Sequence, residues 1–106
     1  MQNFIGTWEI QEMETWDEDY FNMEVQAYIT IKADQSGQFQ FGLVRGYFSG
    51  GRVEDGKLFF NWEGSDEMDE ASGSGWINPK SDSELEGFFS FHFIGDDSTF
   101  LATKKK

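Results

Sequence analysis

The chain has no cysteine, one proline and one histidine among 106 residues. Without cysteine there is no disulfide framework, no thiolate nucleophile and no cysteine-based metal site. A single proline, Pro79, leaves almost every backbone amide able to donate to a sheet ladder. Cations are scarce: 8 Lys and Arg stand against 20 Asp and Glu, a net charge of −12. A nucleic-acid backbone or an anionic membrane surface is neutralised by Lys and Arg, so neither is an expected partner. The acid excess reads as a solubilising surface rather than as mimicry of DNA. No apolar run reaches the 18 or so residues of a membrane-spanning helix, and residues 1–6 lack the charged start of a signal peptide. These absences lead to the expectation of a single domain over residues 1–106, cytoplasmic, with no cofactor.

What the chain does have is aromatic residues, at 18% of the total, so the charge does not imply disorder. Several lie at every second position: Phe39 and Phe41, Phe60 and Trp62, then Phe89, Phe91 and Phe93. Successive side chains of a strand point to opposite faces, so each run lays its rings on one face of a sheet. The alternation predicts eight strands, over residues 7–13, 25–33, 38–44, 45–54, 57–63, 75–78, 84–94 and 98–104. Turns are expected at residues 34–37, 54–56 and 95–97, and Gly42, Gly46, Gly50 and Gly51 read as bends. Thr15-Trp16-Asp17-Glu18 fits a capping box, so a short helix presenting Trp16 and Tyr20 is expected after strand one, with an acidic loop as the alternative. Residues 64–75 read as a polar loop, in which Met68 tucks inward.

Connections this short leave no room for parallel crossovers. The expected fold is an all-β, antiparallel, up-and-down eight-stranded β-barrel, with strand one closing against strand eight; a two-sheet sandwich is the alternative. Parity sends Trp8, Ile10, Val25, Ala27, Ile29, Ile31, Phe39, Phe41, Leu43, Leu58, Phe60, Trp62, Leu85, Phe89, Phe91, Phe93, Phe100 and Ala102 inward. Nine of these are large aromatics, enough to fill most of an eight-stranded barrel, whose interior holds side chains or one small ligand.

Residues pointing outward are the ones the core does not require. Phe59, then Trp76 or Ile77, then Phe88 and His92, then Leu101 form a contiguous apolar band if their strands are neighbours. Exposed bands of this kind mark interfaces, so the expected partner is a second copy of the chain or another protein. Ser90 and His92 share that face with Glu86. Residues i and i+2 of a strand are ~7 Å apart, too far for a nucleophile–base pair, so no catalytic role is expected. Asp66, Glu67, Asp69 and Glu70 are the only candidates for a cation site, and they lack the spacing of a calcium-binding EF-hand loop. The expectation there is a solvated acidic loop without metal.

Gly6-Thr7-Trp8, in a strand opening an eight-stranded meander, resembles the Gly-x-Trp opening of the calycins, the lipocalins and fatty-acid-binding proteins. That resemblance implies that Trp8 closes one barrel end against a cation of the last strand, for which Lys104 has the matching parity. It also implies a helical lid and a small apolar ligand inside the barrel. More of the chain, in Trp16-Asp17-x-Asp19-Tyr20, Trp62-Glu63-Gly64-x-Asp66-Glu67-Met68-Asp69, Gly73-x-Gly75-Trp76 and Phe91-His92-x-x-Gly95-Asp96-x-Ser98-x-Phe100, is similar to a family of small uncharacterised bacterial proteins. This second likeness implies a bacterial source and no particular activity.

Overall fold

The computed structural model describes residues 4–92 and 97–105. Its strands are β1 (Gly6–Met13), β2 (Tyr28–Ile31), β3 (Gly37–Phe41), β4 (Val44–Phe48), β5 (Arg52–Glu54), β6 (Lys57–Asp66), β7 (Asp69–Pro79), β8 (Glu84–Phe91) and β9 (Asp97–Lys104). A one-turn helix, α1 (Glu18–Phe21), lies between β1 and β2. All pairings are antiparallel, in the order β4-β3-β2-β1-β9-β8-β7-β6-β5, and β4 also pairs with β6. That last pairing closes eight strands into a barrel and rules out the open sandwich. First and last strands meet with Trp8 opposite Lys104 and Ile10 opposite Ala102, as the meander requires.

β7 occupies one edge of β6, so β4 and β5 share the other. Phe48 stands opposite Trp62 and Arg52 opposite Phe59. Ser49, Gly50 and Gly51 therefore face only Phe60 and Asn61, which is a bulge. The expected fourth strand, 45–54, is one path interrupted by this bulge, and β5 is its short exposed extension outside the closed ring. Asp55 and Gly56 both take positive φ, 51° and 81°, in the two-residue turn that joins β5 to β6.

Residues expected inside are buried, from Trp8 and Ile10 to Phe100 and Ala102, apart from three. Val25 is 46% exposed because β2 begins only at Tyr28; before it the chain is bent, with the Ala27 amide donating to Asn22 Oδ1 at 2.8 Å. Leu43 sits half-buried in the β3–β4 turn. Phe93, like most of the turn expected at 95–97, lies outside the described residues. The axis of the barrel is occupied by rings. Phe89 lies 4.3 Å from Phe39, 5.2 Å from Phe41 and 4.6 Å from Phe100, centroid to centroid, and Trp62 lies 5.1 Å from both Phe39 and Phe91.

So many rings fit because each of several faces a glycine across the sheet. Phe39 opposes Gly46, Phe60 opposes Gly75, Trp62 opposes Gly73, and Phe100 opposes Gly87. A Cβ placed on Gly46 would come within 2.6 Å of Phe39 Cε2 and 2.9 Å of Trp62 Cε3, and one on Gly75 within 2.9 Å of Phe60 Cζ. Gly46 is therefore a core position, not a bend. Residues 64–75, expected to loop out, are the paired ends of β6 and β7, with Asp66 opposite Asp69. Met68 sits at the hairpin tip and is 95% exposed, so it does not tuck inward.

The two barrel ends are closed differently. At one, Trp8 Nε1 donates to the Phe4 carbonyl at 3.0 Å, and Lys104 Nζ lies 4.7 Å from the Trp8 ring centroid while donating to the Ile5 carbonyl at 2.6 Å. Gly6, at φ 129°, passes under the Lys104 ammonium, where a Cβ would approach Nζ to 2.7 Å. At the other end α1 forms the cover. Its N-cap is Asp17, whose carboxylate accepts from the Tyr20 amide, and not Thr15. Thr15 is held instead by β9: its amide donates to Ser98 Oγ at 3.0 Å and its hydroxyl to the Asp97 carbonyl. Trp16 stacks on Tyr20 at 6.0 Å and packs on Phe41 and Phe91 at 5.1 and 5.9 Å. Among the described residues no helix is long and apolar enough to cross a membrane.

Candidate functional site

Alternation along β6, β7 and β8 decides which side chains face out. β6 buries Leu58, Phe60 and Trp62, leaving Phe59 and Asn61 outside; β7 buries Gly73, Gly75 and Ile77, leaving Ser74 and Trp76 outside. On β8, Leu85, Gly87 and Phe89 are buried and Phe88 faces out. The registers bring the outer rings into one row. Phe59 is directly opposite Trp76, and Trp76 directly opposite Phe88. The Trp76 and Phe88 rings are stacked, 6.2 Å apart and inclined by 17°. Lys57 Nζ lies 4.4 Å from the Trp76 centroid and Arg52 Cζ 5.5 Å from that of Phe59. Arg52 also pairs with Glu54.

Three other residues expected in this band are not part of it. Ile77 is fully buried, opposite Leu58 and Gly87, because parity on β7 is set by the inward Gly73 and Gly75. Leu101 is 39% exposed but faces Glu86, one row from Phe88. His92 is exposed beyond the end of β8, its amide bonded to the Ser72 carbonyl. Four residues of strand separate it from Phe88, roughly 13 Å. The band thus contracts to a ladder of three half-buried rings.

The ladder floors one end of a groove. About 300 Å³ of open space lies between Phe59, Trp76 and Phe88 and the bulge residues Ser49 and Gly50, with Asn61 and Ser74 alongside. Two further depressions adjoin it: one of about 320 Å³ shares Ser49 and Asn61 with it and is lined also by Tyr47, and one of about 670 Å³ shares Tyr47, Glu63 and Ser72 with the second and reaches Gly64 and Glu70. Tyr47 is 55% exposed. Among the described residues, Ser49, Asn61, Ser72 and Ser74 take no part in side-chain hydrogen bonds, in contrast with Asn78, which reaches Glu86. The sequence did not single out Arg52, Tyr47, Ser49, Asn61 or Ser74. Their parity was readable on β6 and β7, but the bulge at Gly50 hid the register that brings β4 and β5 against them.

The acidic candidates do not converge. Asp66 and Asp69 face each other across the hairpin, Glu70 faces Ser65, and Glu67 sits in the turn at φ 61°. Among the described residues no three His, Asp or Glu side chains are placed to hold a metal. Burial raises the Tyr20 phenol above its ordinary range; a hydrogen bond from the Leu43 backbone opposes that rise, and the nearby Asp66 and Glu67 charges add to it. On the exposed turn before β3, the Ser36 hydroxyl and amide hold the Asp34 carboxyl below its ordinary value. Inside the barrel the Trp62 Nε1–H is buried and has no acceptor among the described residues.

No family model matches the chain, and no curated protein or solved structure matches it either.

Proposed function

We propose that this barrel is a non-enzymatic binding module whose working surface is the outer face around Phe59, Trp76 and Phe88, not its interior. The observation that carries the reading is the row of three outward rings, in register on three neighbouring strands, that the core does not need. Buried apolar rings stabilise a fold, whereas outward ones at the floor of a groove are more often there for contact. Ring-to-ring contacts among Phe39, Phe41, Trp62, Phe89 and Phe100 inside the barrel support an outer site over an inner one. A cytoplasmic setting belongs to the same reading and agrees with the lack of cysteine; a bacterial source rests on the likeness to small bacterial proteins alone.

Self-association is one use of such a face. A second copy would lay its own ladder against this one, with a symmetric contact between Phe88 side chains. Multi-angle light scattering at high protein concentration tests it: a dimer that Phe88→Glu converts to a monomer supports it, and a monomer unaffected by the substitution removes it. The interior reading, a small apolar ligand beneath α1, has the unpaired Trp62 Nε1–H in its favour. A fluorescent fatty-acid probe that bound the protein, and bound less when Trp62 was changed to Phe, would move the site inside.

A further inference from the structure

We propose that the outer groove takes a neutral carbohydrate chain, its sugar rings lying on Trp76 and Phe88 and its hydroxyls bonded to Asn61, Ser74 and Ser49. This rests on the outer face being the working surface and names its occupant. The groove is long rather than round. From the Phe59 row to Gly64 is five residues of β6, about 17 Å at the usual rise per residue, the span of a few linked sugar rings.

Its chemistry is mixed in the way a sugar's is. A pyranose offers a face of C–H groups to an aromatic ring and a rim of hydroxyls to polar neighbours. Here near-parallel rings form the floor, and side chains that make no hydrogen bonds within the described residues line the sides. Lys57, which covers Trp76, does not line the groove, so the side of the indole turned toward Ser74 is open.

Other occupants fit less well. A polyanion meets a protein of net charge −12 with Glu63 and Glu70 along the groove. An extended peptide captured as an added strand needs a free sheet edge; beside this groove β4, β6 and β7 are paired, and the free edge, on β5, is only three residues long. A second copy needs a larger apolar centre than three half-buried rings.

The test is binding of cello-, chito-, malto- and mannotetraose to the intact chain. It is followed by tryptophan fluorescence and by retardation in gels containing the parent polysaccharides. At least one series should bind. Trp76→Ala should weaken it about tenfold or more, as loss of a central aromatic contact does, and Asn61→Ala several-fold. Asn61 is exposed, so its variant keeps the test meaningful if Trp76→Ala perturbs the fold. Leu101→Ala, outside the groove, should leave binding unchanged. If all four series fail while the chain forms a Phe88-dependent dimer, the carbohydrate is overturned and the working surface stands. If all four fail and no substitution on this face alters self-association, both are overturned.

Discussion

Replacing Gly46 by alanine is a one-methyl perturbation whose outcome separates two accounts of the glycines in this barrel. If Gly46 is only a flexible point, alanine stabilises, because it restricts the unfolded chain; that gain is about 0.4–1 kcal/mol. The structure predicts the opposite sign. The new Cβ would lie 2.6 Å from Phe39 Cε2 and 2.9 Å from Trp62 Cε3. Neither ring can retreat: Phe39 is 1% exposed and lies 4.3 Å from Phe89, and Trp62 is 2% exposed and meets both Phe39 and Phe91 edge-on. Overpacking of this kind costs about 1–3 kcal/mol, so the net loss is about 1–2 kcal/mol, read as a lower urea midpoint at unchanged slope. For a domain of this size that lowers the melting temperature by roughly 4–16 °C. Phe39→Leu opens space beside Gly46, so the double variant should be more stable than the two single effects sum to, by about 1 kcal/mol. Gly50→Ala is the contrast: nothing lies within 4 Å of its Cβ, and the cost comes only from its φ of 66°. An alanine at Gly46 that left stability equal or higher, or effects that simply added with Phe39→Leu, would refute the ring-over-glycine account.

Lys104→Met should lose the cation over Trp8 and the bond to the Ile5 carbonyl, lowering stability by about 1–2 kcal/mol in urea titration. The raised Tyr20 phenol means that the folded state holds this proton more tightly than the unfolded state does. Its contribution is complete below the unfolded value near pH 10 and is lost as pH rises toward the folded one. Melting temperatures between pH 9 and 11 should therefore fall less steeply for Tyr20→Phe than for the native chain. Met68→Lys, at a fully solvated tip, should change stability by less than about 0.5 kcal/mol; a larger loss would mean that the tip packs against something.

Much of the architecture was legible because alternation is a local signal. Ile29 and Ile31, or Phe89 and Phe91, announce their face within a few residues, and parity picked out Lys104 as the cation that the Gly-x-Trp resemblance placed against Trp8. The failures share a cause, which is information held in the partner strand. Residues 69–75, Asp-Glu-Ala-Ser-Gly-Ser-Gly, carry no strand propensity of their own. They form half of β7 because Trp62 and Phe60 on β6 need glycines opposite them. The choice between Trp76 and Ile77 stayed open for the same reason, the parity of β7 being set by those glycines. The cap at Asp17 was misread by two residues because the Thr15 hydroxyl is taken by the Asp97 carbonyl, a contact 82 positions away in sequence. The outer ladder was half legible. Phe59, Trp76 and Phe88 were identified, but the groove over them depends on the bulge at Ser49 to Gly51.

The pairing of β1 with β9 also fixes an order of events during synthesis. β1 leaves the ribosome ahead of the other strands of the barrel, and β9, which completes it, follows them all. At about 5–20 residues per second β1 waits several seconds with an unsatisfied edge and an uncovered Trp8. β2 can join its other edge early, and the β6–β7–β8 meander can form through neighbouring contacts. The ring cannot shut until β9 arrives. Closure across nearly the whole chain is a contact of high sequence separation, which slows folding. For that interval the nascent protein is an open sheet with a β1 edge available to any other strand.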